Sequence, residues 1–154
     1  MSQATTPPIS YLKGDATAPR ADGNKIIVHV CNDAGGWGAG FVLALSRRWP
    51  EPEQEYRRWH REGEAGGFRL GAARLVQVEP DLWVANMVAQ HGMIDYGALE
   101  ACLRQVAEEA RRLGASVHMP RIGTGLAGGR WEEVEPIILR TLCDQGIPVT
   151  VYDL

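Results

Sequence analysis

The chain has 154 residues, which is enough for one domain with a substantial core and too few for two. Its hydrophobic content of 45% and charged content of 23% are typical of a soluble globular protein. The net charge of −3 excludes a general electrostatic attraction to nucleic acid or to an anionic membrane surface.

The cysteines and the amino terminus indicate the compartment. Cys31, Cys102 and Cys143 are widely spaced and form no CxxC pair, so neither a disulfide framework nor a zinc site is indicated. The opening "MSQATTPPIS" lacks the pattern of a signal peptide, and no apolar run approaches the roughly 20 residues that span a bilayer. We therefore expect a reduced cytoplasmic protein, with residues 1–8 as a disordered tail and residues 9–154 as a single domain.

Strand-like and helix-like segments alternate along the chain. Short β-branched runs that end in polar or glycine residues predict strands, and apolar residues three and four apart predict helices. In chain order these are strands at 9–15 and 25–32, helices at 39–49 and 51–63, strands at 71–80 and 82–90, a helix at 96–113, a strand at 116–120, a helix at 130–146 and a strand at 148–154. The alternation predicts an α/β fold with a mixed, mostly parallel sheet covered on both faces.

Two glycine-rich loops lie where predicted strands lead into helices. "NDAGGWGAG" spans residues 32–40 and "RIGTGLAGGRW" spans residues 121–131. Ligands bind outside the carboxyl ends of such strands, and helix N-termini offer unpaired N–H groups to phosphate. A pair of loops in equivalent positions therefore predicts a clamp on a diphosphate, although glycines at these junctions also simply make turns. In the first loop Phe41 and Leu43 stand where GxGxxG would need its third glycine, and the sequence contains no GxxxxGK[ST], GxSxG or HExxH motif.

Four stretches in order along residues 9–154 resemble a known family. "ISYLKGDAT", "CN…GGWGAGF", "MPRIGTGLAGGRW" and the closing "VTVYDL" are similar to a macrodomain, the ADP-ribose-binding module. The form resembles the compact branch with terminal ADP-ribose protein glycohydrolase and ADP-ribose 1″-phosphate phosphatase. The resemblance implies a three-layer α/β/α fold with a mixed, mostly parallel central sheet.

The resemblance also implies a binding role for particular residues. Asp15, beside Gly14, would accept a hydrogen bond from the adenine amino group, and Tyr152 and Leu154 would pack beside that ring, although Tyr152 could equally pack within the sheet. The first loop would embrace the distal ribose and its phosphate, and the second would wrap the diphosphate. The implied ligand-binding residues are Gly14, Asp15, Ala16, Asn32, Gly36, Trp37, Gly38, Ala39, Gly40, Phe41, Gln90, Pro120, Arg121, Ile122, Gly123, Thr124, Gly125, Leu126, Ala127, Gly128, Tyr152 and Leu154.

The catalytic residues of the related glycohydrolase are not matched. Met87 or Val88 stands where its lysine would lie, and Ala127 stands where its aspartate would lie. The candidates that remain are Asn32, to orient a water, and Asp33, as a general base.

His91 has an intrinsic pKa suited to acid–base work, although a lone histidine after a strand is usually a solvated loop residue.

The motifs and the resemblance predict three alternative functions. The first is hydrolysis of mono-ADP-ribose from acidic residues of modified proteins, and the alternatives are a phosphatase acting on ADP-ribose 1″-phosphate and a non-catalytic ADP-ribose reader. The expected partners are ADP-ribose and mono-ADP-ribosylated proteins, with nucleic acid only as an ADP-ribosylated substrate and no membrane. We expect a monomer that needs no metal and no cofactor.

Overall fold

A computed structural model describes residues 8–154, so the predicted disordered tail lies outside the described residues except for Pro8. The strands are β1 (Ser10–Lys13), β2 (Lys25–Asn32), β3 (Ala73–Glu79), β4 (Leu82–His91), β5 (Met93–Ile94), β6 (Ser116–Met119) and β7 (Val149–Asp153). The helices are α1 (Phe41–Arg48), α2 (Glu51–Glu62), α3 (Tyr96–Leu113) and α4 (Trp131–Thr141), with 3₁₀ turns at Gly63–Gly66 and Cys143–Gln145.

The strands form one sheet in the order β1-β7-β6-β2-β4-β3, with β5 paired to β4. Every neighbouring pair from β1 to β4 along this order is parallel, while β3 and β5 run antiparallel to β4. The predicted mixed, mostly parallel sheet is therefore confirmed. Since β2 and β6 lie at its centre, the loops that follow these two strands emerge close together at one edge.

Hydrophobic side chains fill a core on each face of the sheet. Ile26 and Val28 of β2 pack with α3 and α4 on one face, whereas Ile27 and Cys31 pack with α1 and α2 on the other. Because successive strand residues point to opposite faces, one apolar strand supplies both cores. The result is the expected three-layer α/β/α arrangement.

The helix ends mostly follow the sequence signals. The carboxylate of Asp95 caps α3 by accepting a hydrogen bond from the N–H of Ala98 at 2.9 Å, and Gly114 ends that helix at φ 62°. Gly63 likewise closes α2. Among residues 8–154, none of the helices combines the length and hydropathy that crossing a membrane would need.

The last helix is shorter than the sequence predicts. It ends at Thr141, and residues Cys143–Gln145 form a 3₁₀ turn that Gly146 closes at φ 78°. Thr141, Leu142 and Cys143 are all buried. The carbonyl of Leu142 accepts hydrogen bonds from the N–H groups of Gln145 and Ile147, at 3.0 and 3.2 Å, so the chain turns there instead of continuing the helix.

Candidate functional site

A cleft of about 290 Å³ opens at the edge of the sheet where β2 and β6 end. Its lining comes from the end of β2, the first turn of α1, the end of β4 and both glycine loops. The lining residues are His29, Val30, Ala39, Gly40, Phe41, Val42, Gln90, Pro120, Arg121, Ile122, Gly123, Gly125, Leu126 and Ala127. Eleven of these fourteen belong to the predicted ligand-binding set, and His29, Val30 and Val42 do not.

Hydrogen bonds from Tyr56 anchor the first glycine loop. This buried side chain of α2 donates a hydrogen bond to the carbonyl oxygen of Asn32 at 2.6 Å and accepts one from the N–H of Gly35 at 3.1 Å. Burial, as the largest cause, raises the pKa of Tyr56 to about 12, so the hydroxyl keeps its proton at neutral pH. The first glycine loop is therefore anchored to α2 by hydrogen bonds within the protein, which need no ligand.

Asn32 and Trp37 are also engaged within this loop. The amide of Asn32 donates to the carbonyl of Gly36 at 2.8 Å, while its oxygen accepts from the N–H of Ala34 at 2.9 Å and contacts the Tyr56 hydroxyl. Trp37 is buried, and its indole N–H donates to Ser46 Oγ at 2.8 Å. The ring of Trp37 therefore packs inside the fold, and a ligand contact by this residue stays a prediction.

Backbone conformation explains the glycines at the end of this loop. Gly38 and Gly40 have φ of 88° and 89°, a left-handed conformation that residues with a Cβ rarely adopt. Gly40 precedes α1, which begins without a side-chain cap and without an acidic residue in its first turn. The N–H of Leu43 donates to the carbonyl of Gly40 at 3.0 Å, and the two residues before it in the helix, Phe41 and Val42, line the cleft.

The second glycine loop is tied to its neighbours by backbone bonds. The N–H of Gly129 donates to the carbonyl of Gly123 at 2.8 Å, and the N–H of Ile94 donates to the carbonyl of Ala127 at 2.9 Å. The hydroxyl of Tyr96 accepts a hydrogen bond from the N–H of Arg130 at 3.1 Å. A Cβ built on Gly129 would lie 2.5 Å from the Gly123 oxygen, so only glycine fits there.

Asp15 lies just beyond β1, at the same edge of the sheet as the cleft. Its Oδ1 accepts hydrogen bonds from the N–H and the hydroxyl of Thr17 at 2.8 and 2.7 Å. The Thr17 hydroxyl bond, and to a lesser extent Arg48, holds the pKa of Asp15 below its ordinary value. A half-exposed, ionised carboxylate is therefore available there to accept a hydrogen bond.

Other predicted residues at this end have different roles. Tyr152 is buried, and its hydroxyl accepts a hydrogen bond from the N–H of Arg20 at 2.9 Å and lies 2.8 Å from His118 Nδ1. The ring is packed within the sheet, and its contact with adenine stays a prediction. Leu154 is almost fully exposed.

Arg121 lines the cleft, but its charge is already paired. The guanidinium makes two hydrogen bonds to the carboxylate of Asp153, at 2.7 and 3.0 Å. It also lies over the rings of Tyr11 and Trp131, 5.2 Å from each centroid. The guanidinium of Arg121 is therefore engaged by residues outside the cleft lining.

The remaining predicted residues surround the lining without forming it. Gly14 donates its N–H to the Asp153 carbonyl, and Ala16 is buried next to Asp15. The Thr124 hydroxyl donates to the carbonyl of Arg121 at 2.8 Å. Predicted residues that do not line the cleft are Gly14, Asp15, Ala16, Asn32, Gly36, Trp37, Gly38, Thr124, Gly128, Tyr152 and Leu154.

A carboxylate and an imidazole meet next to the cleft. Asp33 Oδ2 lies 2.8 Å from His91 Nδ1. The N–H of Asp33 donates to the carbonyl of Gln90, a cleft residue that directly precedes His91. Sequence reasoning named both residues without pairing them. No group of three or more metal-ligating side chains occurs within residues 8–154.

The deepest polar residue of the cleft is His29. Its Nε2 lies 2.6 Å from Asn86 Oδ1, and the Asn86 amide donates to the carbonyl of Pro52, so Nε2 is the protonated nitrogen. Desolvation lowers the pKa of His29 to about 4. The ring is therefore neutral at physiological pH. Its position within an apolar strand gave no signal that it would line the site.

Positions where the resemblance implied a lysine and an aspartate have no ionisable group. Met87 and Val88 are fully buried in the sheet, and Ala127 lines the cleft. A second hollow, of about 380 Å³, lies near the opposite edge of the sheet around Asn24 and Gly146. It contains neither glycine loop, so we place the functional site at the first cleft.

The structure is an α/β/α domain with a cleft between two glycine loops at the carboxyl ends of its parallel strands. The Macro domain family model matches residues 28–138, and the chain belongs to this family. A structure of a macrodomain protein from Streptomyces coelicolor is similar, with 61% identity, a TM-score of 0.88, and coverage of 95% of this chain and 99% of that chain.

Curated relatives are more distant. Chromodomain-helicase-DNA-binding protein 1-like from Mus musculus is 34% identical over 94% of this chain, which spans only 17% of that protein's length. An ADP-ribose 1″-phosphate phosphatase from Candida albicans is 24% identical, covering 82% of this chain and 89% of the relative. The ADP-ribose glycohydrolase OARD1 from Bos taurus is 26% identical, covering 95% and 91%.

Proposed function

We propose that this macrodomain binds ADP-ribose in the cleft and hydrolyses the bond that joins mono-ADP-ribose to acidic residues of modified proteins. The observation that carries the proposal is the Asp33–His91 pair, 2.8 Å apart, beside a cleft lined by both glycine loops. A site for binding alone needs no such pair at the ribose end. The names of two relatives, a glycohydrolase and a phosphatase of ADP-ribose, support this substrate class.

Binding would rely on backbone groups along the cleft. The uncapped start of α1 and the loop from Gly123 offer N–H donors, and two phosphates have the acceptors to match them. Asp15 would accept a hydrogen bond from the adenine amino group at the other end. This orientation places the distal ribose near Asn32 and Asp33, where the first loop begins.

The reaction needs no general acid, because the leaving group is a carboxylate. Water attacks the anomeric carbon, the bond from that carbon to the ester oxygen breaks, and the electron pair leaves with the glutamate or aspartate. Asp33 accepts the proton that the water loses and passes it to solvent. His91 donates from Nδ1 to Asp33 and so fixes the direction of the carboxylate. Backbone N–H groups at the ribose end would stabilise the negative charge that develops on the departing carboxylate.

The cleft also supports a second candidate, a non-catalytic reader. Met87 and Val88 are buried, Ala127 is apolar, and the only ionisable side chains among the lining residues are His29 and Arg121. His29 is held neutral and Arg121 is paired, so neither is poised to transfer a proton. This candidate differs from the first only in the role of Asp33.

One experiment separates these functions. A protein mono-ADP-ribosylated on glutamate is incubated with wild type, Asp33→Asn and the control Asp22→Asn, and free ADP-ribose is followed over time beside calorimetric titration with ADP-ribose. We expect wild type and the control to release ADP-ribose, and Asp33→Asn to be about 100-fold slower or more with a similar Kd. Binding without release indicates the reader. Phosphate release from ADP-ribose 1″-phosphate indicates the phosphatase.

A further inference from the structure

We infer that Arg48 is a positioning residue that, through Thr17, fixes the Asp15 carboxylate so that the cleft accepts a 6-aminopurine and rejects a 6-oxopurine. The inference rests on the proposed binding of ADP-ribose and adds the basis of its nucleobase specificity. Arg48 lies in the last turn of α1, and Thr17 and Asp15 lie in the loop after β1.

The Thr17 hydroxyl connects the other two residues. Arg48 Nε donates a hydrogen bond to Thr17 Oγ1 at 2.7 Å, and a guanidinium can only donate. The hydroxyl proton must therefore point elsewhere, and Asp15 Oδ1 lies 2.7 Å away to receive it. Thr17 is buried, so water does not compete for this geometry.

The two oxygens of Asp15 consequently differ. Oδ1 accepts both the hydroxyl and the N–H of Thr17, which prevents the carboxylate from rotating. Oδ2 lies 3.6 Å from Arg48 Nη2, which is an ion pair too long for a hydrogen bond. Oδ2 is thus the oxygen of this half-exposed carboxylate left to accept a hydrogen bond from a ligand, and the Thr17 hydroxyl bond, with a smaller effect of Arg48, holds the pKa of Asp15 low.

A fixed acceptor discriminates between donor and acceptor groups on a base. The amino group of adenine donates to Oδ2, whereas the 6-oxo group of hypoxanthine would place two acceptors against each other. Hypoxanthine does carry an N1–H next to that oxygen, and a carboxylate that was free to turn would find it. The rigidity supplied by Arg48 and Thr17 therefore determines specificity, while the charge of Asp15 alone does not.

The test is calorimetric titration with ADP-ribose and with inosine 5′-diphosphoribose, which differ at the 6-position of the purine. We expect wild type to bind ADP-ribose about tenfold more tightly. Arg48→Gln and Thr17→Val should reduce this ratio to about twofold, with a smaller loss of affinity for ADP-ribose itself. Thr17→Ser keeps the hydroxyl and should restore the ratio, and Arg47→Gln, which changes the neighbouring exposed charge, should leave it unchanged.

Each outcome has a distinct meaning. An equal loss of affinity for both nucleotides in Arg48→Gln would mean that Arg48 only supports the fold, and it would overturn the inference. An unchanged ratio in Arg48→Gln and Thr17→Val would overturn it as well, while leaving the proposed function intact. A wild-type protein that does not bind ADP-ribose at all would remove the proposed function, and the specificity mechanism with it.

Discussion

Replacing Tyr56 by phenylalanine removes the hydroxyl that anchors the first glycine loop to α2. The variant fills nearly the same volume, so the aromatic core around it is preserved. What changes is that the carbonyl of Asn32 and the N–H of Gly35 lose the hydroxyl that now lies 2.6 and 3.1 Å from them.

The size of the effect follows from these two bonds. A hydrogen bond of this kind contributes about 1 kcal/mol net to stability, so the variant should lose about 2 kcal/mol. For a domain of this size that corresponds to a fall in Tm of about 4–8 °C. Affinity for ADP-ribose should also fall, by about three- to tenfold, because ligand binding must then order a looser loop.

Urea unfolding and calorimetric titration measure the two effects. Tyr96→Phe is the matched control, since the Tyr96 hydroxyl accepts a single hydrogen bond, from Arg130, at the foot of the other loop. We expect it to cost about half as much stability. If Tyr56→Phe unfolds at the same urea concentration as wild type, the hydroxyl does not hold the loop and the reasoning is wrong.

Three further predictions concern the second loop, the buried histidines and the first loop. Gly129→Ala places a Cβ about 2.5 Å from the Gly123 oxygen, so we expect a large loss of stability on thermal unfolding, and a wild-type Tm would contradict it. Burial lowers the pKa of both His29 and His118 to about 4, so on acidification the unfolded chain takes up protons first. Stability measured by urea unfolding should therefore fall between about pH 6.5 and pH 4, and a flat profile would refute this. Gly38→Glu, at φ 88°, should abolish ADP-ribose binding in a chain that still shows a folded circular-dichroism spectrum. An unfolded variant would instead give Gly38 a structural role.

The sequence allowed the glycine loops to be placed because their signals are local. Each follows an apolar strand and precedes an amphipathic helix, and both border the cleft in the structure. The Tyr56 support was not predictable in this way, because a tyrosine on the apolar face of a helix indicates only core packing. That its hydroxyl reaches a residue 24 positions earlier depends on how α2 crosses the sheet.

The candidate catalytic pair shows the same limit. Asp33 and His91 are 58 residues apart, and they meet because β2 and β4 are parallel neighbours with Asn32 opposite Gln90. Strand order is a property of the whole fold, so no local pattern connects the two residues. Tyr152 shows the same limit from another side, since its place in the closing motif is compatible with ligand contact and with sheet packing, and only the fold shows that it is buried.

The absence of a side-chain cap at the N-terminus of α1 has a thermodynamic consequence for the whole domain. Asp95 caps α3 within the protein itself, whereas α1 begins at Gly40 with no side chain to accept its first N–H groups. An anionic ligand bound as proposed would supply that missing cap, and occupancy of the site and order of the helix would then be linked quantities. Stability that a serine or aspartate would have provided permanently would be present only while ligand is bound, and the domain would be most stable when it is occupied.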